Sequence, residues 1–223
     1  AVRALANHPD IWCTVGAHPH EAKDHADLTA QTLIDFAVDP RVVGIGECGL
    51  DFHYDLSPRE IQAAVFRQHR IEAVLHFAGL KAVGESTRMP LRYYHNNLPG
   101  TLILCEVMRE SGVRSLVCSS SATVYGKPAG APLREDAPLS ATNPYGQSKL
   151  MIEQILRDLL AAEPEWRLAI LRYFNPVGAD ASGRIGEDPR DLPNNLFPYL
   201  AQVAVGKLTE LSIFGNDYPT PDG

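Results

Sequence analysis

Short apolar, β-branched runs alternate along this chain with amphipathic stretches of roughly 12 to 20 residues, the pattern of βα units around a parallel sheet. This alternation predicts an α/β fold with strands near 11–16, 42–47, 72–78, 114–120, 167–173 and 211–214. It places helices near 27–38, 58–69, 90–111, 144–162 and 195–206. Local chemistry marks several helix ends. Ser57-Pro58-Arg59-Glu60 supplies an N-cap, a proline at the first helical position and a glutamate three residues after the cap, Asn143-Pro144 repeats the cap and proline, and Gly112 reads as a stop. Two long loops, 125–143 and 176–193, lie beside the motifs described below and are expected to shape a substrate site.

Composition narrows the possible partners. No run approaches the roughly 18 to 20 apolar residues of a membrane span, so no membrane association is expected. A formal net charge of -7 disfavours a broad footprint on nucleic acid and favours small-molecule partners. Cys13, Cys48, Cys105 and Cys118 form no C-x-x-C pair and read as reduced, buried thiols, as in a cytoplasmic protein. The start lacks a signal-peptide apolar stretch and a methionine, which predicts a sequence that begins inside a longer reading frame.

The first seventy residues carry Thr14-Val15-Gly16-Ala17-His18-Pro19-His20 and Gly44-Ile45-Gly46-Glu47-Cys48-Gly49-Leu50-Asp51, followed by Ser57-Pro58-Arg59-Glu60. Over about residues 8–68 this wording resembles the TatD-type metal-dependent deoxyribonucleases. The resemblance implies a TIM-barrel-like βαβα fragment in which Glu47 is a metal ligand. A two-metal hydrolase needs several carboxylate and imidazole ligands on one site, and Glu47 alone is a remnant of such a site. Gly44, Gly46 and Gly49 also spell G-x-G-x-x-G, but a pyrophosphate cradle must lead straight into a helix. Here Leu50 to Leu56 reads as extended, and Glu47 inside the turn would repel phosphates.

From residue 71 onward the motifs are denser. A buried strand runs into a glycine turn at Phe77-Ala78-Gly79-Leu80-Lys81, and Ser119-Ser120-Ser121 ends the next strand. Tyr145 and Lys149, at i and i+4 of a helix, share a face. A neighbouring ammonium stabilises a tyrosinate, bringing a phenol from its usual value of about 10 toward the working pH and making a general base. A strand-end serine followed after 24 residues by this tyrosine and lysine is the triad layout of short-chain dehydrogenases.

Together with Leu171-Arg172-Tyr173-Phe174-Asn175-Pro176, Pro193-Asn194-Asn195-Leu196 and Ile213-Phe214-Gly215-Asn216-Asp217, the stretch 71–223 resembles the UDP-glucose 4-epimerases of the extended short-chain dehydrogenase group. The resemblance implies a Rossmann-like fold and an isomerase acting on UDP-glucose and UDP-galactose through a transient 4-keto sugar. Tyr145 would remove the 4-hydroxyl proton, Lys149 would lower the Tyr145 pKa and hold the nicotinamide ribose, and Ser121 would bond the reacting oxygen. Phe77, Ala78, Gly79, Leu80, Lys81, Asn96 and Phe174 would touch NAD, and Asn175, Asn195 and Leu196 the UDP-sugar. A homodimer is implied as well.

The glycine-rich first turn typical of that group has no counterpart before residue 71. Its absence predicts weakened NAD binding and impaired or absent activity. The sequence therefore reads as two fragments, 1–70 and 71–223, with the N-terminal strands placed to extend the parallel sheet. Beside the epimerase reading stand a metal-dependent hydrolase and an inactive chimera.

Overall fold

A computed structural model describes residues 12–51, 56–69, 71–127, 130, 132–178 and 195–213. The chain divides into two compact units, 1–172 and 173–223. In the first unit, β1 (Cys13–Val15) is followed by a 3₁₀ segment (Pro19–His25), α1 (Ala30–Ala37), β2 (Val42–Ile45) and α2 (Arg59–Gln68). Next come β3 (Val74–His76), α3 (Val83–Arg88), α4 (Pro90–Glu110), β4 (Ser115–Ser121), a 3₁₀ turn (Ala122–Tyr125), α5 (Pro144–Ala162) and β5 (Arg167–Tyr173), whose last residue opens the second unit.

Both sheets are parallel where their register is described. β1 pairs with β2, with Val15 opposite Ile45, and β3 pairs with β4, with Val74 opposite Leu116 and His76 opposite Cys118. The larger sheet has the order β3-β4-β5. The N-terminal strands thus form their own two-stranded sheet and do not extend the larger one, contrary to expectation. The link is made by a helix: α2 carries Phe66 into the main core beside Leu104, Met108, Leu116 and Leu156. Full burial of each such side chain contributes about 1.5–3 kcal/mol, so helix packing supplies the attachment that strand pairing was expected to give.

One face of the larger sheet is covered by α4 and α5, whose buried residues share a core with Leu116 and Cys118 of β4. On the other face Leu75 is 64% exposed. α5 starts as the sequence dictates, with Pro144 in its first turn and the Asn143 carbonyl oxygen of the side chain accepting from the Gly146 N–H at 2.9 Å. Three short elements were not expected: the 3₁₀ segments Pro19–His25 and Ala122–Tyr125 and the helix Val83–Arg88, each too short to show a helical period.

In the second unit, α6 (Leu196–Ala204) follows Asn195 and closes at Gly206, whose φ of +76° places it in the left-handed region. Residues 211–213 form no strand, and residue 214 of that expectation lies outside the described residues.

Candidate active site

The end of β4 and the start of α5 face each other because both carry their polar residues on one side. Along α5, Tyr145, Lys149, Ile152, Glu153 and Leu156 are buried, a helical stripe that combines core and polar groups. The Ser121 side chain lies near enough to the Tyr145 hydroxyl to act on its titration. Ser121 Oγ already accepts from the Thr123 N–H at 3.2 Å and the Thr123 hydroxyl at 2.9 Å, which leaves its own proton to donate to the tyrosine oxygen. Burial raises the Tyr145 pKa, and the Ser121 bond pulls it back only in part.

Lys149 is buried and donates from Nζ to the Ser119 carbonyl at 2.8 Å. Burial lowers its pKa. In the free protein, burial and Ser121 set the Tyr145 titration, rather than the lysine-driven lowering expected from the sequence. The three residues the sequence singled out for chemistry are nonetheless gathered at one strand end.

The glycine turn comes close to the same lysine. Gly79 has φ +150°, and a Cβ there would lie 3.1 Å from Asn97 Oδ1 and 3.7 Å from Lys149 Nζ. Only glycine lets this backbone pass so near. Asn97, buried in α4, clamps the turn. Its Oδ1 accepts from the Leu80 N–H at 2.9 Å, and its Nδ2 donates to the Leu80 carbonyl at 3.1 Å and to Ser148 Oγ at 3.0 Å. Sequence reasoning picked Asn96 and missed Asn97; the signal available was a second amide beside it on a buried helix face.

A cavity of about 630 Å³ opens over this turn. Phe77, Ala78, Gly79, Leu80 and Asn96, expected to touch NAD, line it, whereas Lys81 is exposed outside the lining. His76 also lines it, with its Nε2 bonded to Thr101 Oγ1 at 3.1 Å. Thr101 donates its own proton to the Asn97 carbonyl, so His76 donates from Nε2. Burial, followed by the Lys149 ammonium, lowers its pKa to about 4.

The lining also includes His18, Glu47 and Asp51. The Glu47 side chain is 80% exposed and lies 3.7 Å from His18 Nε2, and His20 bonds to Asp51. Among the described residues no three His, Cys, Asp or Glu side chains converge to hold a metal. The glycines at 44, 46 and 49 lead into no immediate helix, since Leu50 and Asp51 are irregular and α2 begins at Arg59. Phe174, Asn175, Asn195 and Leu196 belong to the second unit; Phe174 and Leu196 are exposed there, and Asn195 is the residue before α6.

The NAD dependent epimerase/dehydratase family matches residues 19–222. A UDP-glucose 4-epimerase from Bacillus subtilis is 67% identical over 172 residues, covering 77% of this chain and 51% of the relative. One from Cyamopsis tetragonoloba is 49% identical over 220 residues, covering 98% of this chain and 62% of the relative. The crystal structure of UDP-glucose 4-epimerase from Bifidobacterium longum in complex with NAD+ and UDP aligns with a TM-score of 0.72 at 47% identity, over 87% of this chain and 56% of that one. The chain therefore spans about half to three-fifths of the length of these relatives. The family match begins inside the segment that resembles TatD-type hydrolases, and none of these likenesses supports a fused hydrolase fragment or a barrel-like N-terminal piece.

Proposed function

The chain belongs to the NAD dependent epimerase/dehydratase family, and on that footing we propose that it acts in the C4 epimerisation of UDP-glucose and UDP-galactose. The observation that carries the reading is the meeting of Tyr145, Ser121 and Lys149 at one strand end, beside a glycine turn that only a side-chain-free residue can occupy.

NAD fits the residues present. The positive φ of Gly79 and its approach to Lys149 Nζ leave backbone open to a ligand in the cavity, with Phe77, Leu80 and Asn96 around it. When bound, NAD supplies a hydride acceptor and donor at the sugar C4. The chain's own residues handle the proton. Ser121 donates to the Tyr145 oxygen and so stabilises its anionic form, and that oxygen exchanges a proton with the sugar 4-hydroxyl. Lys149, fixed by the Ser119 carbonyl, keeps a cation beside the turn. Asn175, Asn195 and Leu196 are proposed to bind the UDP-sugar, Phe174 and Lys81 to contact NAD, and the protein to form a homodimer. Free thiols at all four cysteines support a reducing compartment such as the cytoplasm. No helix among the described residues is long and apolar enough to cross a membrane.

Incubation of the chain with NAD and UDP-galactose tests the proposal. UDP-glucose is the expected product. Neither NAD binding nor conversion would overturn it.

A further inference from the structure

Three inward residues of α5, each four positions from the next, meet three consecutive residues at the end of β4. The Tyr145 hydroxyl lies by the Ser121 side chain, which acts on its titration, Lys149 bonds the Ser119 carbonyl at 2.8 Å, and Glu153 bonds the Ser120 hydroxyl at 2.6 Å. The first two contacts belong to the reaction centre proposed above. The third does not, and it is the most deeply buried: Glu153 is 0% exposed.

Its carboxylate is fully engaged. Besides Ser120 it accepts from Arg172 Nε at 3.0 Å, Arg172 Nη2 at 2.7 Å and Arg157 Nη2 at 2.8 Å. Burial alone would raise its pKa, but the bonds from Arg172, Ser120 and Arg157 outweigh that and hold it below the usual carboxylate range. The remaining Nη1 of Arg172 donates to the Tyr125 hydroxyl at 2.9 Å and to the Glu135 carbonyl at 3.0 Å, while the guanidinium lies 4.9 Å from the centre of the Tyr125 ring. Tyr125 closes the 3₁₀ turn that starts immediately after Ser121. One carboxylate thus joins α5, β4, β5 and, through Arg172, the turn following the catalytic serine.

A buried ion pair adds little net stability over an apolar replacement of the same shape, so its effect is better sought in geometry. We propose that Glu153 is a positioning residue for the Tyr145–Ser121–Lys149 group, setting the end of β4 against α5 so that Ser121 reaches the tyrosine oxygen. The proposal deepens, and rests on, the reading of that group as the reaction centre. Glu153 is not among the residues that line the cavity, and its hydrogen bonds run to Ser120, Arg157 and Arg172, so it acts through Ser120 and Arg172.

The test is the onset of Tyr145 ionisation in the ligand-free protein, followed by NMR with tyrosine labelled at the ring Cζ and assigned with Tyr145→Phe. In Ser120→Ala and Glu153→Gln the Ser121 bond loosens. Tyr145 is then expected to ionise at higher pH, with the tyrosinate fraction at a fixed pH reduced about threefold or more. A purely structural Glu153 would lower the melting temperature and leave this titration where it is in the unaltered protein. Folded Ser120→Ala and Glu153→Gln proteins with unchanged Tyr145 ionisation would overturn the proposal. If Glu153→Gln fails to fold, Ser120→Ala decides alone. Because the measurement needs neither NAD nor sugar, a failed UDP-galactose conversion would remove the functional reading without deciding this one.

Discussion

At Asn97 a single amide makes three bonds that hold the glycine turn to α4 and, through Ser148, to α5. Truncation to alanine leaves the half-buried Leu80 N–H and carbonyl without these partners, a cost toward the lower end of the about 1–3 kcal/mol of buried polar groups. Asn97→Ala is therefore expected to lower the denaturant midpoint and to weaken NAD binding in a fluorescence titration; unchanged affinity would mean that the turn holds its shape alone. His76 carries a consequence for pH. Its folded pKa of about 4 lies below the unfolded value of about 6.5, so the unfolded chain binds the extra proton between these values. The sign follows. Stability from a neutral His76 is complete above pH 6.5 and is lost as pH falls toward 4, by up to about 3 kcal/mol. His76→Gln keeps a donor for Thr101 without the titration, and it is expected to lose less stability than the unaltered protein when denaturation is compared at pH 7 and pH 5.

Among the elements, α5 depends on a close approach at its first turn. A Cβ at Gly146 would stand 2.9 Å from the Thr123 carbonyl oxygen and 3.2 Å from Thr123 Oγ1. Alanine at that position gains about 1 kcal/mol in helix propensity but must push the helix away from the turn that carries Thr123. Gly146→Ala is expected to be net destabilising by about 1–3 kcal/mol, as overpacking usually is. It should also weaken the Tyr145–Ser121 contact, because Thr123 holds Ser121. Thermal melts together with the Tyr145 titration check both effects. The bounds of α5 were legible in the sequence because Asn143-Pro144 is a strong start signal and the apolar period runs unbroken to Ala162. The 3₁₀ segment at Pro19–His25 was not, because a short turn has no period to read.

For the whole molecule, the α/β class and the parallel pairing followed from the alternation of apolar runs and amphipathic stretches. The separation of β1 and β2 from the larger sheet did not, because strand partners are chosen by tertiary packing, here by Phe66 entering the main core on α2. In the same way, the strand-end serine, tyrosine and lysine stood out by order and spacing. Glu153 belongs to no motif in the sequence, and its distance to Ser120 reveals its place. The most direct measurement of the central claim is conversion of UDP-galactose to UDP-glucose, with NAD supplied, by this chain and by Tyr145→Phe. Conversion by the unaltered chain is expected, with a rate lower by about 10²- to 10⁴-fold in the variant, the usual worth of a positioned acid–base group. Equal rates from two proteins that both bind NAD would contradict it.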